Sequence, residues 1–432
     1  MIEAVTQPGT EVRYGWHDRY KIPLDHPAAF RFYLDYLLVP HSRREMIWAT
    51  LARASSRIGR ILLLAEGSSS TSAFQNSPHS HGEDGAPGGL SDAERSWADL
   101  LAPRLEECLR RAGIAVHGPL AFLMLDDYRH SVRRQMVFFL FDRESALPRA
   151  VAKVATQATQ QTVLEHEYAA LWTLHQRLDD DLRVTLPRPL GLIHVGATTT
   201  LLEGFLPGRS LYCELRNCWR PHHCASEHFR LACRWLVRFH QATRWESVSL
   251  NEESVDRYIV QPLNAFQRDC DASAAERDLI SHIITLAKEL PNEPLPLVAR
   301  QGDFWARNVI RCGELVGVVD WEQFHWRSTP FEDLFLFATS YGLSYPWKLG
   351  RWATPAAAFR ATYLEVSWLA QLVRDYLLSY CEAMGISPKL LELFFPVFLA
   401  ERAWKEREHS GIKIWRTLFQ TYAHRDGPAC FC

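Results

Sequence analysis

The sequence predicts an α+β protein of two lobes, a small antiparallel β-rich lobe and a larger helical one, preceded by an N-terminal extension. Three observations point there. Apolar runs at residues 120–125, 136–141 and 150–155 are short and separated by polar loops, the pattern of an antiparallel meander. From residue 227 onward the apolar spacing is mainly helical, broken by one β-like episode at 298–321. The 432 residues, 47% hydrophobic and 23% charged, suit roughly two to three globular units able to bury cores of their own.

Taken in order, residues 1–65 hold apolar stretches at 30–39 and 46–64 that read as one or two helices or strands, with no job assigned to them. Residues 66–90 are rich in Ser, Gly, His and Pro and read as a flexible linker, because they bury too little apolar surface to offset ordering entropy. Ser91 with Glu94 forms a helix-start signature, and Trp97, Leu100, Leu101, Leu105 and Leu109 continue at helical spacing. The three strands of the meander follow, with Pro148 just before the third. A helical stretch at 162–178 and a strand pair at 190–195 and 199–205 come next. The expected divisions are therefore an extension at 1–65, a linker at 66–90, a helix plus β-rich lobe at 91–206 and a helical lobe at 207–432.

Lys plus Arg number 48 against 50 Asp plus Glu, a net charge of −2 that gives no whole-chain electrostatic case for nucleic acid or anionic membrane. No run approaches the roughly 18 apolar residues of a membrane span. The first residues, with Glu3, Gln7, Glu11 and Arg13, lack a signal-peptide core. Ten scattered cysteines form no compact framework and read as reduced thiols in a cytoplasmic protein. Cys213, Cys218, His222, His223 and Cys224 are types that coordinate zinc, but they lack paired finger spacing and read first as ordinary residues near the lobe boundary. Cys430 and Cys432 fit no prenylation box, since position 429 is Ala. The sequence leaves the oligomeric state open.

The informative stretch runs Gln301-Gly302-Asp303-Phe304-Trp305-Ala306-Arg307-Asn308, followed by an apolar run ending in Asp320-Trp321-Glu322. An acid and an amide stand five residues apart in a loop, and a second acid follows the amide by twelve. Phosphoryl transfer calls for these parts: an acid to orient a hydroxyl and take its proton, and oxygen ligands for Mg²⁺. Taken singly, an Asp ending a strand or an Asn in a loop is an ordinary turn residue; the combination carries the signal.

These motifs resemble the aminoglycoside phosphotransferase and choline kinase-like family, whose catalytic loop reads H-G-D-x-x-x-x-N and whose metal segment often reads D-W-E. The resemblance covers about residues 118–400. It implies a bilobal protein-kinase-like fold, ATP and Mg²⁺ as cofactors, Asp303 as catalytic acid/base, and Asn308 and Asp320 as metal ligands. It further implies that Lys153 reaches the α/β-phosphates and pairs with Glu167, with Glu165 as fallback, and that Glu203, Gly204 and Phe205 belong to a hinge reading the adenine edge. His240 and Asp333 would be architectural, the latter anchoring a loop.

Two departures stand out. Gln301 replaces the usual His, an architectural position that Gln can partly fill. The loop at 126–135, where a phosphate-covering turn belongs, has no Gly, leaving Ser131 or Arg129 to contact phosphate or the whole loop to serve as a charged turn.

The implied reaction is γ-phosphoryl transfer to a hydroxyl of a small molecule: an aminoglycoside, a sugar or an amino-alcohol. Aromatics are dense after residue 320, among them Trp321, Phe324, Trp326, Phe335, Phe337, Tyr341, Tyr345, Trp347 and Trp352. They read first as core, and second as a pocket for a sugar face or ammonium group. The alternative from another class is a degenerate kinase acting as a nucleotide-binding or scaffold protein.

Overall fold

A computed structural model of the chain describes residues 3–7, 10–17, 20–23, 26–37, 92–126, 135–155, 157–290, 292–348, 353–407 and 413–425. The chain forms two units, Met1–Arg177 with Leu186–Arg209, and Leu178–Thr185 with Ser210–Cys432.

The first unit is built on an antiparallel sheet of strands β1 (Glu3–Gln7), β2 (Thr10–His17), β3 (Tyr20–Pro23), β4 (Ala121–Asp126), β5 (Gln135–Phe141), β6 (Ala150–Ala155), β7 (Pro189–Val195) and β8 (Thr198–Gly204). Their spatial order is β1-β2-β3-β4-β5-β6-β8-β7. Residues 3–23, read above as part of an extension ahead of the β-rich lobe, thus form three strands of its sheet, and Tyr20 pairs Leu125 while Lys21 pairs Met124. The signal is legible in hindsight: in β2, Val12, Tyr14 and Trp16 alternate with Glu11, Arg13 and Gly15. The expected linker at 66–90 and the cap at Ser91 lie outside the described residues.

Strand alternation sends consecutive side chains to opposite faces, and both faces are covered. On one face Phe122, Met124, Phe138, Leu140, Ala150, Ala152 and Val154 pack against Leu101, Leu105 and Leu109 of helix α2 (Asp92–Arg111). On the other, Leu123 and Phe141 meet Phe30, Phe32, Tyr33 and Leu34, from helix α1 (Pro27–Phe32) and the π-helical turn Tyr33–Leu37 that continues it. Further along that second face, Ala155 and Leu201 pack on Leu164 of helix α3 (Ala158–Arg177). Every residue of β6 is therefore buried, whichever way it points.

The second unit is helical, as its periodicity predicts. Its helices include α4 (Leu211–Asn217), α5 (Pro221–Ala242), α6 (Gln261–Asp269), α7 (Ala274–Glu289), α8 (Phe331–Lys348), α9 (Pro355–Tyr363), α10 (Trp368–Met384), α11 (Lys389–Glu406) and α12 (Ile414–Ala423). Cap chemistry sets several starts: Ser210 accepts from the Cys213 N–H at α4, and Ser273 with Glu276 forms a capping box at α7. The β-like episode resolves into β9 (Val298–Arg300) paired with β12 (His325–Ser328), and a hairpin of β10 (Val309–Cys312) and β11 (Leu315–Val318). An aromatic core forms around α5, where Trp235 stacks on Phe239 and Phe304 and meets Trp321. Trp321, Phe324, Phe335, Phe337 and Tyr341 are all buried, so these aromatics are core. Trp352 lies outside the described residues.

Cys218 and Cys224 are joined by a disulfide, which corrects the reading of all cysteines as reduced thiols and removes two donors from the zinc alternative. Among the described residues no single helix is long and apolar enough to cross a membrane.

Helices α8 and α9 pack closely at Gly342, where an added Cβ would collide with Oγ1 of Thr362 and come within 2.7 Å of its Cγ2. Thr362 is itself buried and bonds back to the Ala358 carbonyl, so it cannot swing away. Gly342→Ala is expected to cost about 1–3 kcal/mol, read as a lowered denaturation midpoint with unchanged slope.

Candidate active site

Each unit carries one group of the residues singled out from the sequence. In the first unit, strand alternation points Lys153 of β6 at the face covered by α3. Its Nζ lies 2.6 Å from Oε1 of Glu167, and both side chains are buried. Glu165, the fallback partner, is not needed. Glu203 on the neighbouring strand β8 shares that face, and its Oε1 is 3.6 Å from the same ammonium. One buried cation thus stands between two carboxylates, and its charge offsets part of the cost of desolvating them.

The expected hinge residues behave unequally. The Glu203 side chain is committed to Lys153, and the Gly204 N–H donates to the Arg188 carbonyl at 2.8 Å. An added Cβ at Gly204 would press on Arg188 at 3.3 Å, a tight contact that a small shift would have to relieve. The Phe205 ring packs edge-on against Phe32 and Phe139, with centroids 5.4 and 6.5 Å away. Ser131 lies outside the described residues.

In the second unit the loop leaves β9, turns through residues 301–308 and returns as β10. Gly302 has φ +88°, and an added Cβ would collide with the Gln323 carbonyl oxygen, so only glycine fits. Asp333, near the start of α8 and fully buried, accepts the Gln301 N–H at 2.7 Å on one oxygen and the Gly302 N–H at 2.8 Å on the other. Burial pushes its carboxyl upward in pKa, while these two N–H groups and the nearby Arg300 and Arg402 oppose the shift. His240 faces the same carboxylate, Nε2 to Oδ2 3.9 Å, and donates or accepts at Tyr380 through Nδ1. Burial pulls the imidazole down to about 3, so it stays neutral. The architectural roles expected of His240 and Asp333 match this geometry.

Gln301 shows how an amide fills the position of the usual His. Fully buried, it donates from Nε2 to the Val319 carbonyl at 3.1 Å and to the Asp320 carbonyl, and accepts the Asp303 N–H on Oε1 at 2.7 Å. A single side chain thereby ties the loop to the end of β11. Asn308 completes the turn: its Nδ2 donates to the Asp303 carbonyl at 3.0 Å and to Asp303 Oδ2 at 2.9 Å. Its own carbonyl accepts the Val319 N–H at 3.0 Å, which sets Asn308 beside Asp320.

These contacts bring Asp303, Asn308 and Asp320 together, as the sequence predicts. Burial pushes Asp303 up to about 6, the charge of Asp320 adds to the rise, and Arg402 and the Asn308 amide oppose it. Asp320 occupies the left-handed region at φ +66°, a strained backbone for a non-glycine residue. The Asp320 carboxylate and the amide oxygen opposite the committed Asn308 nitrogen offer oxygen donors beside the Asp303 carboxylate. That set suits Mg²⁺, which keeps several waters and takes few protein ligands. Among the described residues no group of three or more His, Cys, Asp or Glu gathers as a metal site, so the zinc alternative at 213–224 finds no support.

Sequence reasoning missed Arg402. From α11 it donates to the Gly302 carbonyl at 2.8 Å and reaches Glu332 at 3.2 Å. Nothing in its charged surroundings at the end of α11 marks it for a loop one hundred residues earlier.

Asp303 binds a proton more tightly folded, near 6, than unfolded, near 4, so its charge destabilises the fold above about pH 6 and the cost vanishes below about pH 4. Asp303→Asn is therefore expected to raise stability at pH 7 by on the order of 2 kcal/mol, with the gain disappearing at pH 4 in parallel melts. Gln301→Ala, which strands the Asp303 N–H, should lower stability by about 1–3 kcal/mol at both.

No family model matches the chain, and no curated relative does. Among solved structures, aminoglycoside phosphotransferase APH(4)-Ia superposes with a TM-score of 0.48 at 12% identity, over 75% of this chain and 96% of that one. A thermostable mutant of that enzyme was solved with ADP and hygromycin B. Glucosamine kinase gives 0.41 at 14% identity over 76% and 98%, and an amicoumacin kinase with AMP-PNP and Ca²⁺ gives 0.41 at 11% over 73% and 91%. The chain is thus similar to these small-molecule kinases, each with a TM-score below one half.

Proposed function

We propose that the protein is an ATP- and Mg²⁺-dependent phosphotransferase that moves the γ-phosphoryl group to a hydroxyl of a small molecule. The observation that carries this is the loop geometry: Asp303 and Asn308 locked to each other, with Asp320 brought alongside by Gln301. Catalysis of this kind needs positioning and charge more than covalent chemistry.

In this reading Asp303 orients the acceptor hydroxyl and takes its proton. A carboxyl raised to about 6 is a stronger base than an ordinary aspartate yet remains mostly ionised at pH 7. Asn308 and Asp320 would hold Mg²⁺, which when bound draws charge off the transferring phosphate. Lys153, fixed by Glu167, would contact the nucleotide's phosphates, and backbone groups of residues 203–205 other than the committed Gly204 N–H would read the base. The near-neutral net charge gives no electrostatic case for nucleic acid as a partner, in keeping with a small-molecule acceptor.

A specific observation favours the second reading, a nucleotide-binding protein without turnover. Lys153 is held by Glu203 as well as Glu167, which would restrain the ammonium from following a phosphate through transfer while still leaving it a cation for bound nucleotide.

Melting with and without ATP and Mg²⁺ separates binders from non-binders, and ATP consumption against pooled aminoglycosides, sugars with their acids and phosphates, and amino-alcohols then separates the two readings. A Mg²⁺-dependent rise in Tm is expected, lost in Lys153→Met. Turnover with one pool is expected to fall by on the order of 10²–10⁴ in Asp303→Ala. The acidic limb of kcat/KM should lie near pH 6, activity falling as Asp303 takes up its proton. Absence of any nucleotide effect on melting would sink both readings.

A further inference from the structure

We infer that a pocket in the second unit binds an anionic group, a carboxylate or a phosphate, carried by the acceptor; this rests on the phosphotransferase reading above. The cavity, about 110 Å³, is lined by Arg257, Arg300 and Arg327 together with Glu332 and Glu401, with Phe394 and Phe398 forming an apolar wall. It adjoins the loop that carries Asp303. Arg300 immediately precedes Gln301, Glu332 precedes Asp333, and Arg402 bridges Glu332 to the Gly302 carbonyl.

The charges facing this space are unequal. Glu332 is already engaged by Arg300, by Arg402 at 3.2 Å and by Lys405 at 3.4 Å. Glu401 acts on the same three cations. Glu332 is therefore spent on cations that include the pocket-lining Arg300. Glu401 stands in the field of the same cations without a direct ion pair among the described residues, so two further arginines face at most one uncommitted carboxylate. Arg257 and Arg327, by contrast, form no ion pair among the described residues. Each guanidinium is instead held over an aromatic face, Arg257 over Tyr258 at 5.4 Å and Arg327 over Trp245 at 5.5 Å. Stacking limits their rotamers and leaves the planar N–H fork available, which is how arginine recognises carboxylate and phosphate in two-point fashion.

Size restricts the occupant. A cavity of about 150 Å³ holds one benzene ring, so this pocket admits one compact charged group and leaves the rest of the molecule outside. A polycationic amino-sugar would meet two unpaired arginines there, so the acceptor is a hydroxylated anion, such as a sugar acid, a hydroxy acid or a sugar phosphate.

The test is calorimetric titration of the wild type and of the Arg257→Ala/Arg327→Ala double variant with gluconate, glycerate and glycerol 3-phosphate. Glycerol and glucosamine serve as neutral and cationic controls. At least one anion is expected to bind the wild type and to lose at least ten-fold in affinity in the double variant, which should retain the wild-type melting shift with ATP and Mg²⁺. No anion binding, equal binding in the double variant, or binding of glucosamine alone would overturn the inference. Failure of the phosphotransferase reading shows separately, as a missing ATP–Mg²⁺ shift in the wild type, and leaves the anion titration to decide the pocket.

Discussion

The second unit is organised around a buried charge. Asp333 sits where a carboxylate is costly, and it is tolerated because each oxygen meets a backbone N–H of the loop it supports. Those N–H groups have no alternative acceptor, since Gly302 turns into φ +88° against the Gln323 carbonyl and cannot relax outward. Everything forward of that anchor inherits its position: the Gln301 amide, the Asp303 backbone and the Asn308 clamp. The surrounding groups are matched to one negative charge. His240 remains neutral at its side, and Arg300 and Arg402 supply compensation from β9 and α11.

How much of this was legible follows from which interactions are local. The loop from Gln301 to Asn308 and the strand end at Asp320 are short-range patterns, and their geometry is set by bonds between residues two to nineteen positions apart. Lys153 was visible as a lone cation among small apolar residues, and its partner Glu167, fourteen residues on, followed from the family pattern, with Glu165 left as fallback. Arg402 was not visible, since its acceptor lies in a different element and one basic residue on a helix end resembles another. The strands at 3–23 were missed for a similar reason. Their pairing with β4 bridges a long stretch of chain, and alternation over a few polar-rich residues is a weak signal beside the longer apolar runs that follow.

The exchange of His for Gln at position 301 shows what the position asks for physically. It needs one acceptor for the Asp303 N–H and one donor for carbonyls at the end of β11, from a side chain with no solvent to fall back on. A carboxamide presents both at once and cannot change its charge with pH. An imidazole can do so only in one tautomer. The substitution therefore preserves the architecture while removing a titratable group from the vicinity of Asp303.

The register of β3 against β4 has a kinetic side. Tyr20 and Leu125 become neighbours only after more than a hundred intervening residues have been brought back on themselves, while β4, β5 and β6 join through short connections. Loop closure of that length is entropically unfavourable and has to precede the contacts that reward it. The meander with α2 can thus assemble first, with Leu123 and Phe141 exposed until α1 arrives. In the folded unit β3 covers the edge of β4 and α1 covers Leu123 and Phe141, so the N-terminal segment removes both an open sheet edge and an exposed aromatic surface that would otherwise invite pairing with other chains.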